Sequence, residues 1–155
     1  MRKIPREEIE KVVKELKGNI GLYIDLVETN EVFTINPDKA FPAASVINFA
    51  MLALLMQDVN DGKINWDERI EIKENNRIGG TGVLPLLEDD YKPTIGMMAH
   101  FMITLNDNRA TNQLMDILTM ERVNEYLSNM GYKNIKLMRK MLDKAAVKEG
   151  RENWI

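Results

Sequence analysis

The chain contains no cysteine, and His100 is the single histidine among its 155 residues. Disulfides, thiolate chemistry and Cys- or His-rich metal centres are therefore excluded within one chain, and no metal or cofactor is expected. There is no long Lys/Arg run, and the net charge of −3 argues against a nucleic-acid surface. No stretch approaches the roughly 18 consecutive apolar residues of a membrane-spanning helix. Met1-Arg2-Lys3-Ile4-Pro5 is a basic start, but the hydrophobic run of a signal peptide does not follow. A chain that starts this way is expected either in the cytoplasm or to have had a signal removed.

What is present is ordinary for a globular protein: 45% hydrophobic and 29% charged residues, and enough length for one domain with a proper core. The eleven methionines read as adaptable core filling, with Met97, Met98 and Met102 at helical spacing.

The periodicity predicts α+β architecture with far more helix than strand. Pro5, followed by Glu7, Glu8 and Glu10, opens a helix. Ile9, Val12, Val13 and Leu16 form its apolar stripe, and Gly18 can stop it. Ile20–Val27 and Glu31–Ile35 read as strands joined by a turn at Glu28-Thr29-Asn30. From Ser45 to about Val59 runs a helix that is apolar nearly all round and so is expected to be buried on every side; Asp61-Gly62 ends it. Arg69–Lys73 reads as a short strand and Gly79–Gly82 as a loop. Pro93-Thr94 starts a second buried helix to about Leu105. Arg109–Leu118, Met120–Met130 and Arg139–Lys148 are three further expected helices. There is no internal repeat, linker or low-complexity segment. The expected domain is residues 1–155, with helix and hairpin in 1–40 and the helical part in 41–155.

Two polar constellations interrupt this pattern. Ser45 stands where an apolar helix begins, and Asn48 lies three residues later on the same helical face. Serine at such a place is a common N-cap, and Asn48 would then reach back as a weak capping-box partner. The chemical alternative is a nucleophile at the positive end of a helix dipole. Asn106-Asp107-Asn108 follows the second apolar helix. Its plain reading is a helix end and turn, which Asn and Asp favour.

Phe41-Pro42-Ala43-Ala44-Ser45-Val46-Ile47-Asn48 and Met102–Leu114, taken together, resemble the Ser-x-x-Lys and Ser-Asp-Asn segments of the class A β-lactamase family and related serine hydrolases. Gly80-Thr81-Gly82-Val83-Leu84 is similar to the loop before Ser-Asp-Asn. Leu137–Asp143 with Gly150–Asn153 is similar to the omega-loop region. The resemblance implies Ser45 as the nucleophile position, Asn48 in place of the lysine base, Asn106 in place of the relay serine, Asn108 as the substrate-facing asparagine and Asp107 as a structural acid. Where the family carries a deacylating glutamate, the resemblance puts Lys140 or Met141, with Asp143 as the candidate substitute. The family's late Lys-Thr-Gly motif is not found; Lys148-Glu149-Gly150 fits it only as a pattern. An asparagine amide has no basic site near neutral pH and is a poor proton relay.

The resemblance implies the helical domain of the β-lactamase/transpeptidase-like fold plus an N-terminal β-hairpin, with the late strands missing. It implies a ligand resembling a β-lactam, an ester or an amide, and a family whose members are often exported. Three functions compete: an impaired or inactive hydrolase scaffold, an active serine hydrolase completed by another chain, and a non-catalytic interaction or oligomerisation module. A hairpin lacking its partner strands would present an apolar edge, so a homo-oligomer or a complementing chain is expected.

Overall fold

The computed structural model describes residues 3–88 and 90–155. The chain divides into two compact units, one ending at Ala40 and one running from Phe41 to Ile155.

In the first unit, Pro5 precedes helix α1, Arg6–Glu15, whose first turn carries Glu7 and Glu8. The acids suit the positive end of the helix. Strands β1, Leu22–Leu26, and β2, Glu31–Ile35, pair antiparallel with Leu22 opposite Ile35. Asn30 at φ +54° supplies the left-handed residue of the turn. Glu31 ties the start of the unit to the hairpin: its carboxylate accepts from the Ile4 N–H and from Arg6, both at 3.2 Å. The sheet has two strands among the described residues, so β1 and β2 each keep one unpaired edge. None of the α1 residues is buried, and Val12 is 57% exposed. Its apolar stripe is thus only partly covered.

The second unit is helical. Helix α2, Ile47–Asn60, packs on α3, Ile95–Thr104, on α4, Asn108–Leu118, and on α5, Met120–Asn129. Ile47, Met51 and Leu55 meet Met98 and Met102, Leu114 and Leu118, and Val123 in one core. The methionine expectation holds for Met98 and Met102, which are buried, while Met97 is half-buried and accepts a 3.6 Å contact from the Tyr91 hydroxyl. Asp58, buried on α2, accepts from Arg122 of α5 with both oxygens, at 2.9 and 2.7 Å. Trp66 presses on the backbone of α3 at Gly96, where a Cβ would lie 2.4 Å from the indole nitrogen.

Three expectations are corrected. Helix α2 is not covered on every side: Phe49 is 66% exposed and Met56 46%. Its free flank borders an apolar groove with Tyr126, Met130 and Ile155. Arg69–Lys73 is not a strand. A single bridge joins Arg69 to Thr94, because the segment turns into the short 3-10 helix Glu74–Asn76. The helix expected over Arg139–Lys148 shrinks to α6, Lys144–Lys148. Side chains take the backbone N–H groups that a helix would need: Asn153 Oδ1 accepts from Met138 and Arg139, and Asn112 Oδ1 from Met141. Leu142 at φ +60° then breaks the path.

No helix among the described residues is long and apolar enough to cross a membrane.

Candidate active site

The entry to α2 is laced to the last residues of the chain. Phe41 and Ile155 exchange two backbone hydrogen bonds of 2.8 and 2.9 Å, and the Ala43 N–H donates to the Asn153 carbonyl at 2.7 Å. Ala44 then takes φ +45°, a left-handed conformation that a non-glycine residue adopts only when its surroundings enforce it. Ser45 follows in a 3-10 turn, Ala44–Val46, that leads into α2. The capping reading does not hold: no side chain caps either the turn or α2, and the Ser45 hydroxyl has no hydrogen-bond partner among the described residues.

Asn48 does not reach back toward the helix start. It is 2% exposed, and its Nδ2 donates to the Met102 carbonyl of α3 at 3.4 Å. That carbonyl fixes the amide orientation, since the flipped form would set two acceptors face to face. Oδ1 is left buried without a donor, a costly state for a polar atom.

At the end of α3, Asn106 takes φ +51°, which asparagine tolerates better than most residues. Asp107 is fully buried and organises the turn. Its Oδ1 accepts from Ala110 N–H at 3.0 Å and caps α4. Its Oδ2 accepts from the Val83 and Leu84 N–H groups, both at 2.8 Å. Thr81 closes the loop onto the same turn: its hydroxyl donates to the Asn106 carbonyl at 2.7 Å, and its carbonyl accepts from the Asn108 N–H at 3.1 Å. Gly82, at φ +124°, lies so close that a Cβ would sit 2.2 Å from the Asp107 carboxyl carbon. The helix-end reading of this triplet is therefore correct, and the triplet also clamps the Gly80–Leu84 loop.

Ser45, Asn48 and Asn106 meet in one depression of about 250 Å³, with Phe49, Met102 and Ile103 as its apolar walls. No charged side chain lines it among the described residues. Asn108 is not part of that lining. It is 9% exposed, and its Nδ2 donates to the Thr81 hydroxyl at 3.4 Å.

A sequence model of the beta-lactamase enzyme family matches residues 4–155. The chain belongs to the beta-lactamase enzyme family. It is 28% identical to the β-lactamase CARB-4 of Pseudomonas aeruginosa, with 86% of the chain and 46% of that relative aligned. Among solved structures, a β-lactamase from Sphaerobacter thermophilus is 30% identical with a TM-score of 0.78, over 86% of this chain and 50% of the other. The structure of PBP-A superposes with a TM-score of 0.84 at 24% identity, over 96% of this chain and 56% of that one. The chain thus spans about half the length of the relatives it matches. What it contains is the helical part of the β-lactamase fold with a two-stranded hairpin.

In this family member, the region expected to resemble the omega loop is held by side chains. Lys140 donates to Asp116 Oδ1 at 2.6 Å and to Asn76 Oδ1 at 2.9 Å. Burial would raise the Asp116 carboxyl, but the hydrogen bonds from Lys140 and Asn76 and the charges of Lys140 and Lys73 outweigh it. The group is held below the usual carboxylate range. Asp143 Oδ1 accepts from Ala146 N–H and caps α6. None of Lys140, Met141 and Asp143 is among the residues lining the Ser45 depression. Sequence reasoning missed Asn112, which exchanges hydrogen bonds of 2.7 and 3.2 Å with the Met141 backbone. Its one signal was an amide on a buried helical face. It also missed the role of Thr81, signalled only by flanking glycines.

Proposed function

We propose that this chain is a β-lactamase-like serine-hydrolase scaffold whose acyl transfer at Ser45 is impaired. Attack of the Ser45 oxygen on a β-lactam, ester or amide carbonyl would form a C–O bond and break the C–N or C–O bond to the leaving group. The serine proton must leave to a base and return to the departing atom. The observation that carries the proposal is Asn48: at the position three residues after Ser45, the buried side chain is an amide held by the Met102 carbonyl. It can position, but it cannot take a proton. Asn106, in the same depression, can donate a hydrogen bond but is a poor relay. Asn108 is the further residue proposed to contact substrate.

The test is intact-protein mass after incubation with a reactive β-lactam. A missing general base costs about 10²- to 10⁴-fold in rate, so the expected adduct on Ser45 is absent or forms over hours. Full labelling within minutes would overturn the proposal and favour a working hydrolase. The Asn48→Lys, Asn106→Ser double variant then separates the two side chains from the rest of the fold. If it stays silent, the limiting defect lies elsewhere, for instance in the electrostatic stabilisation of the oxyanion.

A second reading, an interaction or oligomerisation module, is favoured by one observation: neither outer edge of the β1–β2 hairpin pairs with a further strand among the described residues, and Tyr23 and Val27 are 65% and 81% exposed. Open apolar edges pair with other strands, so a second copy or a complementing chain is the expected partner. Light scattering at high concentration should then show a dimer or larger species; a monodisperse monomer sinks this reading.

A further inference from the structure

A second depression lies where the loop before α6 meets that helix. It encloses about 410 Å³, and Arg139, Leu142, Asp143, Lys144, Val147 and Lys148 line it. It shares no lining residue with the Ser45 depression. Lys144, Val147 and Lys148 stand at i, i+3 and i+4 and so project from one side of α6. Neither lysine side chain has a hydrogen-bond or ion-pair partner among the described residues. Leu142 and Val147 remain 51% and 46% exposed. From this juxtaposition of free ammonium groups and open aliphatic side chains, we infer that the depression binds a small monoanionic amphiphile, an alkyl carboxylate in chemical class.

Each part of such a ligand meets a different part of the lining. The alkyl chain covers Leu142 and Val147, which removes apolar surface from water on both molecules. The carboxylate lies between Lys144 and Lys148, whose long stems let the ammonium groups follow it. Arg139 adds a fixed cation. Its guanidinium donates to Glu152 at 2.9 and 2.6 Å and to the Lys140 carbonyl at 3.1 Å, which leaves two of its five N–H bonds uncommitted. The carboxylates nearby are already engaged. Asp143 Oδ1 caps α6 through the Ala146 N–H, Glu152 holds Arg139, and Glu149 holds Arg151. With Glu152 counted alongside the lining, cations outnumber carboxylates by one, so a single negative charge balances the site. The apolar wall is pre-formed: Leu142 is set at φ +60°, and its Cδ1 lies against Gly80, where a Cβ would come within 2.8 Å. The volume falls toward the lower end of the range for small-molecule sites, roughly 300–1,000 Å³, and suits a chain of moderate length.

The experiment is two-dimensional amide and methyl NMR of the isotopically labelled chain, titrated separately with octanoate, 1-octanol and acetate. Octanoate should shift the Leu142, Lys144, Val147 and Lys148 signals together. Octanol lacks the charge and should bind about tenfold more weakly, the equivalent of one charge-assisted hydrogen bond. Acetate lacks the chain and should lose at least as much. Lys144→Gln combined with Lys148→Gln changes two exposed side chains and should bring octanoate down to the octanol level. Leu142→Asn, which the left-handed backbone tolerates, should weaken octanoate and octanol alike. Octanol binding as tightly as octanoate overturns the inference, as does an unchanged octanoate affinity in the double lysine variant. Octanoate shifts that fall instead on the apolar groove around Phe49 and Met130 overturn it as well. Phosphatidylglycerol vesicles supply the last arm: sedimentation with them, without any binding of octanoate, replaces the site by general attraction to an anionic surface.

Discussion

Asp107 is the residue on which the frame of the candidate site depends, and its removal has a calculable cost. Its carboxylate serves three backbone donors, Ala110 N–H on one oxygen and Val83 and Leu84 N–H on the other. Asp107→Ala removes a helix cap, worth about 1 kcal/mol, and leaves two more N–H groups without partners at roughly 1–3 kcal/mol each. Since the three bonds share one group, simple addition overcounts, and about 3–5 kcal/mol is the expected loss. At this chain length that lowers the thermal midpoint by roughly 10 °C. Asp107→Asn discriminates the mechanism further. One amide oxygen can serve Val83 and Leu84 while the amide nitrogen faces Ala110, so only the cap is lost, at about 1–2 kcal/mol. Urea unfolding followed by circular dichroism gives the stabilities. Amide hydrogen exchange at Val83 and Leu84 gives the local effect: fast in the alanine variant, protected in the asparagine variant. A loss below about 1 kcal/mol for Asp107→Ala, or unchanged exchange at both amides, would refute the clamp.

Two further perturbations test the polar interior. Asn48→Leu removes a buried acceptor without a donor, so stability should stay level or rise by about 1 kcal/mol; a loss above about 2 kcal/mol in urea unfolding would mean that the Asn48–Met102 hydrogen bond matters more than its 3.4 Å length implies. Asp116 has a depressed folded-state carboxyl. Its contribution is therefore fully present above the ordinary value of about 3.8 and is lost as pH falls through the lower folded value. Asp116→Asn should flatten the acid side of the stability profile in that window and leave its slope near neutrality unchanged; an identical acid slope in both proteins would count against the Lys140–Asp116 pair.

Much of the fold was legible because its signals are local. The stripe Ile9, Val12, Val13 and Leu16 marked α1, and the β-branched runs around Glu28-Thr29-Asn30 marked the hairpin, within about two residues of the observed ends. The misreadings share a cause, which is that distant side chains decided the outcome. Residues 139–143 have acceptable helix formers, yet Asn112 and Asn153 take their N–H groups from 29 and 14–15 residues away. No periodicity records such a partner. Helix α2 looked buried all round because composition reports how apolar a helix is, not what covers it. Phe49 and Met56 stay exposed in the described residues.

The same distinction separates the two halves of the candidate site. Its frame is over-determined: Asp107, Thr81 and Gly82 hold the turn through contacts that each depend on the others, and any one substitution is opposed by the remainder. Asn48 and Asn106, the positions that the proposed function assigns to proton handling, have no such support. Asn48 makes one long hydrogen bond and leaves an oxygen unpaired, and the Asn106 side chain is exposed. Several hydrogen bonds at once fix the first set, whereas Asn48 is buried on one long hydrogen bond and Asn106 is open to solvent. On the proposed reading, the Ser45 depression thus has a well-held frame and a lining without a charged side chain among the described residues, and Ser45 marks the fold more firmly than it marks turnover.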